Sequence, residues 1–243
     1  MTIPSYITQR LGQTAPTPCV VPHSTPVLGF GQFIDAQVAT LGLNPSKNEF
    51  LHRGALLMPP HNRLESLQSL GLASLAATTS VHHQKILDAC LNYFNTGRAY
   101  YWFNRFAPLL NQLGVSYAHG TACHLDLVQT ATDPVWSKKA LAPHRTQYLA
   151  NDAWFLLEQL SNHKVTKLLL NGASVVRAVT ARFGITFTET FHTSPCGKQF
   201  KFHSGVLAIP NVRRQIKVRG WNFNVQSSHG VTTAMLSSVG ALC

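Results

Sequence analysis

The chain has 243 residues and 45% hydrophobic content, which suits one large α/β domain with a sizeable core. Twenty Lys and Arg stand against nine Asp and Glu, a formal net charge of +11, so polyanions are the expected partners, nucleic acid first and an anionic membrane second. No apolar run reaches the ~18 residues that span a bilayer, no charged-then-apolar leader opens the chain, and five cysteines without a Cys-x-x-Cys pair argue against a disulfide framework and for a reducing cytoplasm.

Residues 1–26 are rich in Pro, Thr and Ser and read as an irregular arm; 27–243 read as a single domain. A strand is expected over 37–43. A short helix follows over 62–70, with Leu64, Leu67 and Leu70 on one side. Ser80 is placed to cap the next helix, which carries Ile86, Leu87, Cys90, Leu91 and Phe94 to Gly97. An aromatic helix spans 99–113 and a buried strand 122–128. A helix over 146–160, a strand over 167–170 and a helix over 173–183 ended by Gly184 come next. The last third reads as strands over 185–190, 199–209 and 215–225, then a helix over 231–239. Short apolar strands alternating with helices predict a mostly parallel sheet covered on both faces, a three-layer α/β/α architecture.

The run Val38-Ala39-Thr40-Leu41 leads into Gly42-Leu43-Asn44-Pro45-Ser46. Pro45 fixes its own φ and pushes Asn44 out of the helical region, so the chain turns there. Ligands of open α/β sheets bind at the carboxyl ends of strands, where this spacing puts Asn44. The loop continues to Glu49, which fits a helix-end acid or a base, and Phe50, which fits a stacking platform or a core side chain. This arrangement resembles the first active-site motif of the uracil-DNA glycosylase superfamily, Gly-x-(Asp/Asn)-Pro-(Tyr/Gly/Ser). The resemblance implies that Asn44 holds the attacking water. It also implies that Ser46 lies beside the C5 atom of the base, where the uracil-restricted branch carries a blocking Tyr.

His124 and Asp126 lie two apart on a strand, so they share a face and need partners if buried. The His124-Leu125-Asp126-Leu127-Val128 segment is similar to one in related members of the superfamily. Base-recognition groups belong here, usually an Asn; in this chain Asp126 or Gln129 takes that place. The strand ending in Asn171-Gly172 supports the architecture alone. The late loop 224–230 resembles the superfamily's His-Pro-Ser or Asn-Pro-Ser loop without its Pro. Gln226 or His229 would support the leaving base, His229 being favoured because an imidazole stabilises a developing oxyanion. Ser228 joins the base-binding set, and Ser227 and Ser228 also fit a cap for the last helix. Arg213, Arg214, Lys217 and Arg219, with Lys47, would grip phosphates; a solvated edge strand with gatekeeper charges is the alternative for the basic run.

The spacing of His192, Cys196 and His203 matches no standard zinc pattern, and no metal or cofactor is expected. No Gly-rich Walker loop is present. The expectation is therefore a monomeric, cytoplasmic, monofunctional DNA glycosylase acting on uracil or a C5-modified pyrimidine, in base excision repair or in defence against phage with modified DNA. A catalytically inactive nucleic-acid-binding protein on the same scaffold is the alternative.

Overall fold

The computed structural model describes residues 3–16, 19–210, 212–226 and 228–243. Its elements are α1 (Ser5–Leu11), β1 (Val38–Gly42), β2 (Leu51–His52), β3 (Ala55–Leu56), α2 (Ser80–Leu91), α3 (Ala107–Gln112), β4 (Ala122–Asp126), α4 (Arg145–Asn162), β5 (Lys167–Asn171), α5 (Ala173–Phe183), β6 (Thr188–Thr193), β7 (Gln199–Ala208), β8 (Gln215–Trp221) and α6 (Thr233–Leu242). The chain divides into two compact units. The first comprises Met1–Gly31, Leu43–Tyr100 and Leu125–Glu158; the second comprises Gln32–Gly42, Tyr101–His124 and Gln159–Cys243. The division runs through the span expected as one domain.

A six-stranded sheet has the order β4-β1-β5-β8-β7-β6 and, but for the last two residues of β4, lies in the second unit. β1 pairs with β5 and β5 with β8, both parallel, in registers from Val38↔Lys167 and Lys167↔Lys217. β7 runs antiparallel to β8, and β6 antiparallel to β7. β1 is buried throughout and β5 from Leu168 onward, the continuous apolar reading of strands covered on both faces. β6 lies at the edge; five of its six residues are exposed, Phe191 at 75%. Among the described residues no helix is long and apolar enough to cross a membrane. All five cysteines are free.

Four expectations change. The 1–26 arm holds α1, a helix that buries Tyr6, Ile7, Arg10 and Leu11. Residues 62–70 form turns instead of a helix, because the Ser66 and Ser69 hydroxyls each accept the other's backbone N–H (3.1 and 2.8 Å) and compete with helical pairing. Thr79, not Ser80, caps α2, its own N–H donating to His82 Nδ1 at 3.1 Å. The 99–113 helix is a 3₁₀ turn over Tyr101–Phe106 followed by α3, with Pro108 in the first turn, where its missing N–H costs nothing.

Candidate active site

In the first unit Asn44 stands two residues beyond β1, half-buried. Its Nδ2 donates to the carbonyls of Pro45 (3.1 Å) and Thr130 (3.2 Å) and to Thr132 Oγ1 (3.1 Å). Carbonyl oxygens only accept, so the nitrogen must face them and Oδ1 must face away. Among the described residues Oδ1 takes no hydrogen bond. The side chain is thus a fixed acceptor, suited to orienting a water and unable to take its proton.

Ser46 commits its hydroxyl to the same loop. It caps the 3₁₀ turn Lys47–Glu49 by accepting from Asn48 N–H at 3.2 Å. Lys47 is tied to Asp133 at 3.0 Å, an ion pair that competes with the phosphate contact expected of it. Phe50 is 2% exposed, so its ring packs in the core and presents no open face for stacking. Glu49 is equally buried. Its Oε2 accepts from Tyr93 O–H at 2.5 Å, and that hydroxyl oxygen accepts from Tyr100 N–H at 2.9 Å. Burial pushes the Glu49 carboxyl up to about 7; the Tyr93 hydrogen bond and Arg63 draw it down, and Asp126 adds to the rise. Arg63 straps this loop from outside, donating to Asn48 O at 2.5 Å and Arg98 O at 3.0 Å.

Asp126 is buried, near enough to Glu49 to act on its charge. Gln129, 1% exposed, is committed inward. Its Nε2 donates to Asp126 O at 2.8 Å, and its Oε1 accepts from Arg10 Nε at 3.2 Å. It is therefore a structural amide and reads no base as it stands. Arg10 and Asp152 form a fully buried ion pair at 2.9 Å. Arg10 also donates to Thr130 Oγ1 (3.2 Å), and Asp152 accepts Gln129 N–H (2.9 Å). This network holds the 129–132 segment on which the Asn44 amide is fastened. The sequence carried a signal for it: Arg10 lies among Tyr6, Ile7 and Leu11, and Asp152 shares a helix side with Tyr148, Phe155 and Leu156, charges on otherwise buried faces.

In the second unit His124 is a core histidine. Its Nδ1 lies 2.7 Å from Thr40 Oγ1, which in turn meets Tyr117 O–H at 2.5 Å, and Trp102, Phe103 and Phe106 surround the ring. Asn171, expected to be architectural, is a positioning group. Its Oδ1 accepts Val225 N–H at 2.9 Å, which turns its Nδ2 onto Gln226 Oε1 at 2.8 Å. Gln226 Nε2 is consequently a buried donor with no partner among the described residues. Ser228 Oγ accepts Asn224 N–H at 2.8 Å and caps no helix; Thr232 caps α6 through Met235 N–H at 3.2 Å. Ser227 lies outside the described residues. His229 is exposed; its carbonyl accepts from Lys198 Nζ, and its ring makes no hydrogen bond among the described residues.

The basic run separates into two kinds. Arg213 and Lys217 are exposed and available to anions. Arg214 donates to the carbonyls of Leu160 (3.0 Å), His163 and Val165, closing the end of α4, so it is a helix clamp and no phosphate ligand. Arg219 is half-buried, donating to Val218 O at 3.0 Å. Among the described residues no group of three or more His, Cys, Asp or Glu side chains is placed to hold a metal ion. No family model matches the chain, and no match is found among curated proteins.

Proposed function

We propose that the protein is a monofunctional DNA glycosylase with a three-layer, uracil-DNA-glycosylase-like fold, acting on an extruded non-canonical pyrimidine. The supporting observation is the Asn44 amide, whose nitrogen is anchored on two carbonyls and a hydroxyl while its oxygen is left to accept. Water held by Oδ1 attacks the glycosidic carbon, the carbon–nitrogen bond breaks with its electron pair leaving on the base, and the proton the water loses passes through solvent to the departed base anion. Asn44 orients that water and cannot deprotonate it. The burden then falls on the leaving group, which favours bases that depart readily. Gln226 Nε2, a buried donor without a partner among the described residues, is better prepared than the exposed His229 to meet a carbonyl of such a base. Cytoplasmic action on DNA, as a monomer, follows from the same reading.

A second reading has its own support. Phe50 is buried and Gln129 is internally satisfied, so two expected base contacts are taken up by the fold. A nucleic-acid-binding protein without catalysis would look the same there. Duplexes carrying uracil, hydroxymethyluracil, or hydroxymethylcytosine with and without glucose separate the readings after alkali treatment. Strand breaks lost in Asn44→Ala, with binding kept, are the expected result. Binding without breaks on any of these duplexes selects the non-catalytic reading.

A further inference from the structure

Within the second unit, α5 and the β6–β7 hairpin enclose an open groove of about 910 Å³, a volume typical of small-ligand sites. Its floor is built, not incidental. Position 205 is glycine, and a Cβ there would stand 2.9 Å from Ile185 Cγ2 and 3.0 Å from Phe187 Cδ1. The missing side chain lets the Phe187 ring lie down on β7. His203 lies beside that ring, centroid to centroid 5.9 Å, and is only 6% exposed. Its Nδ1 is 3.3 Å from Glu189 Oε1 yet makes no hydrogen bond among the described residues, so a buried polar group lines the groove without a satisfied partner there. Burial outweighs the Glu189 charge and, with Lys201, holds the imidazole below the usual histidine range.

One end of the groove is the first turn of α5. That turn has no acidic residue and no side-chain cap. Arg177 reaches back over it, donating to Ser174 Oγ at 3.3 Å. A guanidinium laid on the positive end of a helix dipole is unfavourable unless an anion joins them. Lys201 is matched by Glu189 at 2.7 Å, and among the described residues Arg177 has no acidic partner in the groove.

We infer that this groove binds a segment of single-stranded nucleic acid, with a base against Phe187 and a phosphate at the first turn of α5 beside Arg177. An aromatic platform next to an anion site, with apolar walls and no sequence-reading fork, is the arrangement of sequence-tolerant strand binding. The choice of a nucleic acid as the anion rests on the DNA reading above and on the chain's +11 charge.

The test is fluorescence anisotropy with labelled oligo-dT of eight nucleotides, titrated at several salt concentrations. Phe187→Ala and Arg177→Ala should each weaken binding about tenfold. Arg177→Ala should also lower the salt slope by roughly 0.7, one released counterion on a single strand, while Phe187→Ala leaves it unchanged. Phe187→Trp restores stacking and should bind as wild type, which separates lost stacking from a damaged fold. Binding within twofold of wild type in both alanine variants overturns the inference, as does failure of Phe187→Trp to recover. The outcome is independent of catalysis. If wild type releases no base but oligo-dT binding depends on both residues, the glycosylase reading falls and the groove stands. If base is released and oligo-dT binding ignores both residues, the reverse holds.

Discussion

The loop after β1 and the loop after β8 solve opposite problems. Around Asn44 every neighbour is committed: Nδ2 to three acceptors, Ser46 to the turn behind it, Glu49 to Tyr93, and the receiving segment to a buried Arg10–Asp152 pair. Around Gln226 and His229 the bonding among the described residues is incomplete, with a buried amide donor unmet and an exposed imidazole unheld. A group that must hold a water at a fixed angle gains by being rigid before substrate arrives, since no further ordering is then needed during the reaction. A group that must follow a departing base gains by having bonds still to be made. On the glycosylase reading proposed above, the first loop has the character wanted of a water holder and the second, taken by itself, that of a base contact.

The contrast breaks most visibly at its foundation. Arg10→Met should destabilise the protein by about 3–5 kcal/mol in denaturant melts, because Asp152 is left buried and unpaired. A loss under about 1 kcal/mol would put the pair in the class of exposed bridges and deprive the Asn44 loop of its rigid footing.

Glu49 makes the first loop sensitive to pH. An acid raised in the fold binds protons there that the unfolded chain releases, so stability is full below 4.5 and falls as pH climbs through about 7. The difference amounts to about 3 kcal/mol. Glu49→Gln keeps an acceptor for Tyr93 and removes the charge. The stability of the variant relative to wild type should rise as pH climbs from 4.5 to about 7 and be greatest at pH 8, the buried histidines cancelling in that difference; a difference that stays constant from pH 5 to 8 would refute the assignment.

Asn44→Asp sharpens the difference between the loops. A carboxylate oxygen would face the Pro45 and Thr130 carbonyls that now receive N–H bonds, costing about 1–3 kcal/mol. His229→Ala, at an unbonded exposed ring, should stay within about 0.5 kcal/mol. Equal costs in thermal melts would erase the distinction. The smallest effect is at Arg213. Its alanine variant should leave the melting temperature unchanged and reduce the salt slope of duplex binding by roughly 0.9. Arg214→Ala should do the opposite, lowering stability without touching the slope.

The sequence read well wherever one physical rule acted alone. Apolar runs located β1 and β5, and Gly184, left-handed at φ 65°, ended α5 at the expected residue. It read poorly where side chains compete for the backbone, as Ser66 and Ser69 do, and where a residue's partner lies far along the chain. Arg10 meets Gln129 and Asp152 across more than a hundred residues; the local pattern marks Arg10 and Asp152 each as a charge on a buried face, and only the fold says that they pair. At the candidate site the residue types were legible and their commitments were not. Gln129 and Arg214 are polar and basic as binding residues should be, yet each is bound to carbonyl groups of the fold.

Among the described residues β6 ends the sheet with no further strand beside it. It offers a row of outward backbone groups, no proline, and Phe191 standing in water at 75% exposure. An open edge of this kind is a template for another strand. The expected consequence is strand-to-strand association in concentrated stocks, and Phe191→Lys should lower it in light scattering while leaving both loops untouched.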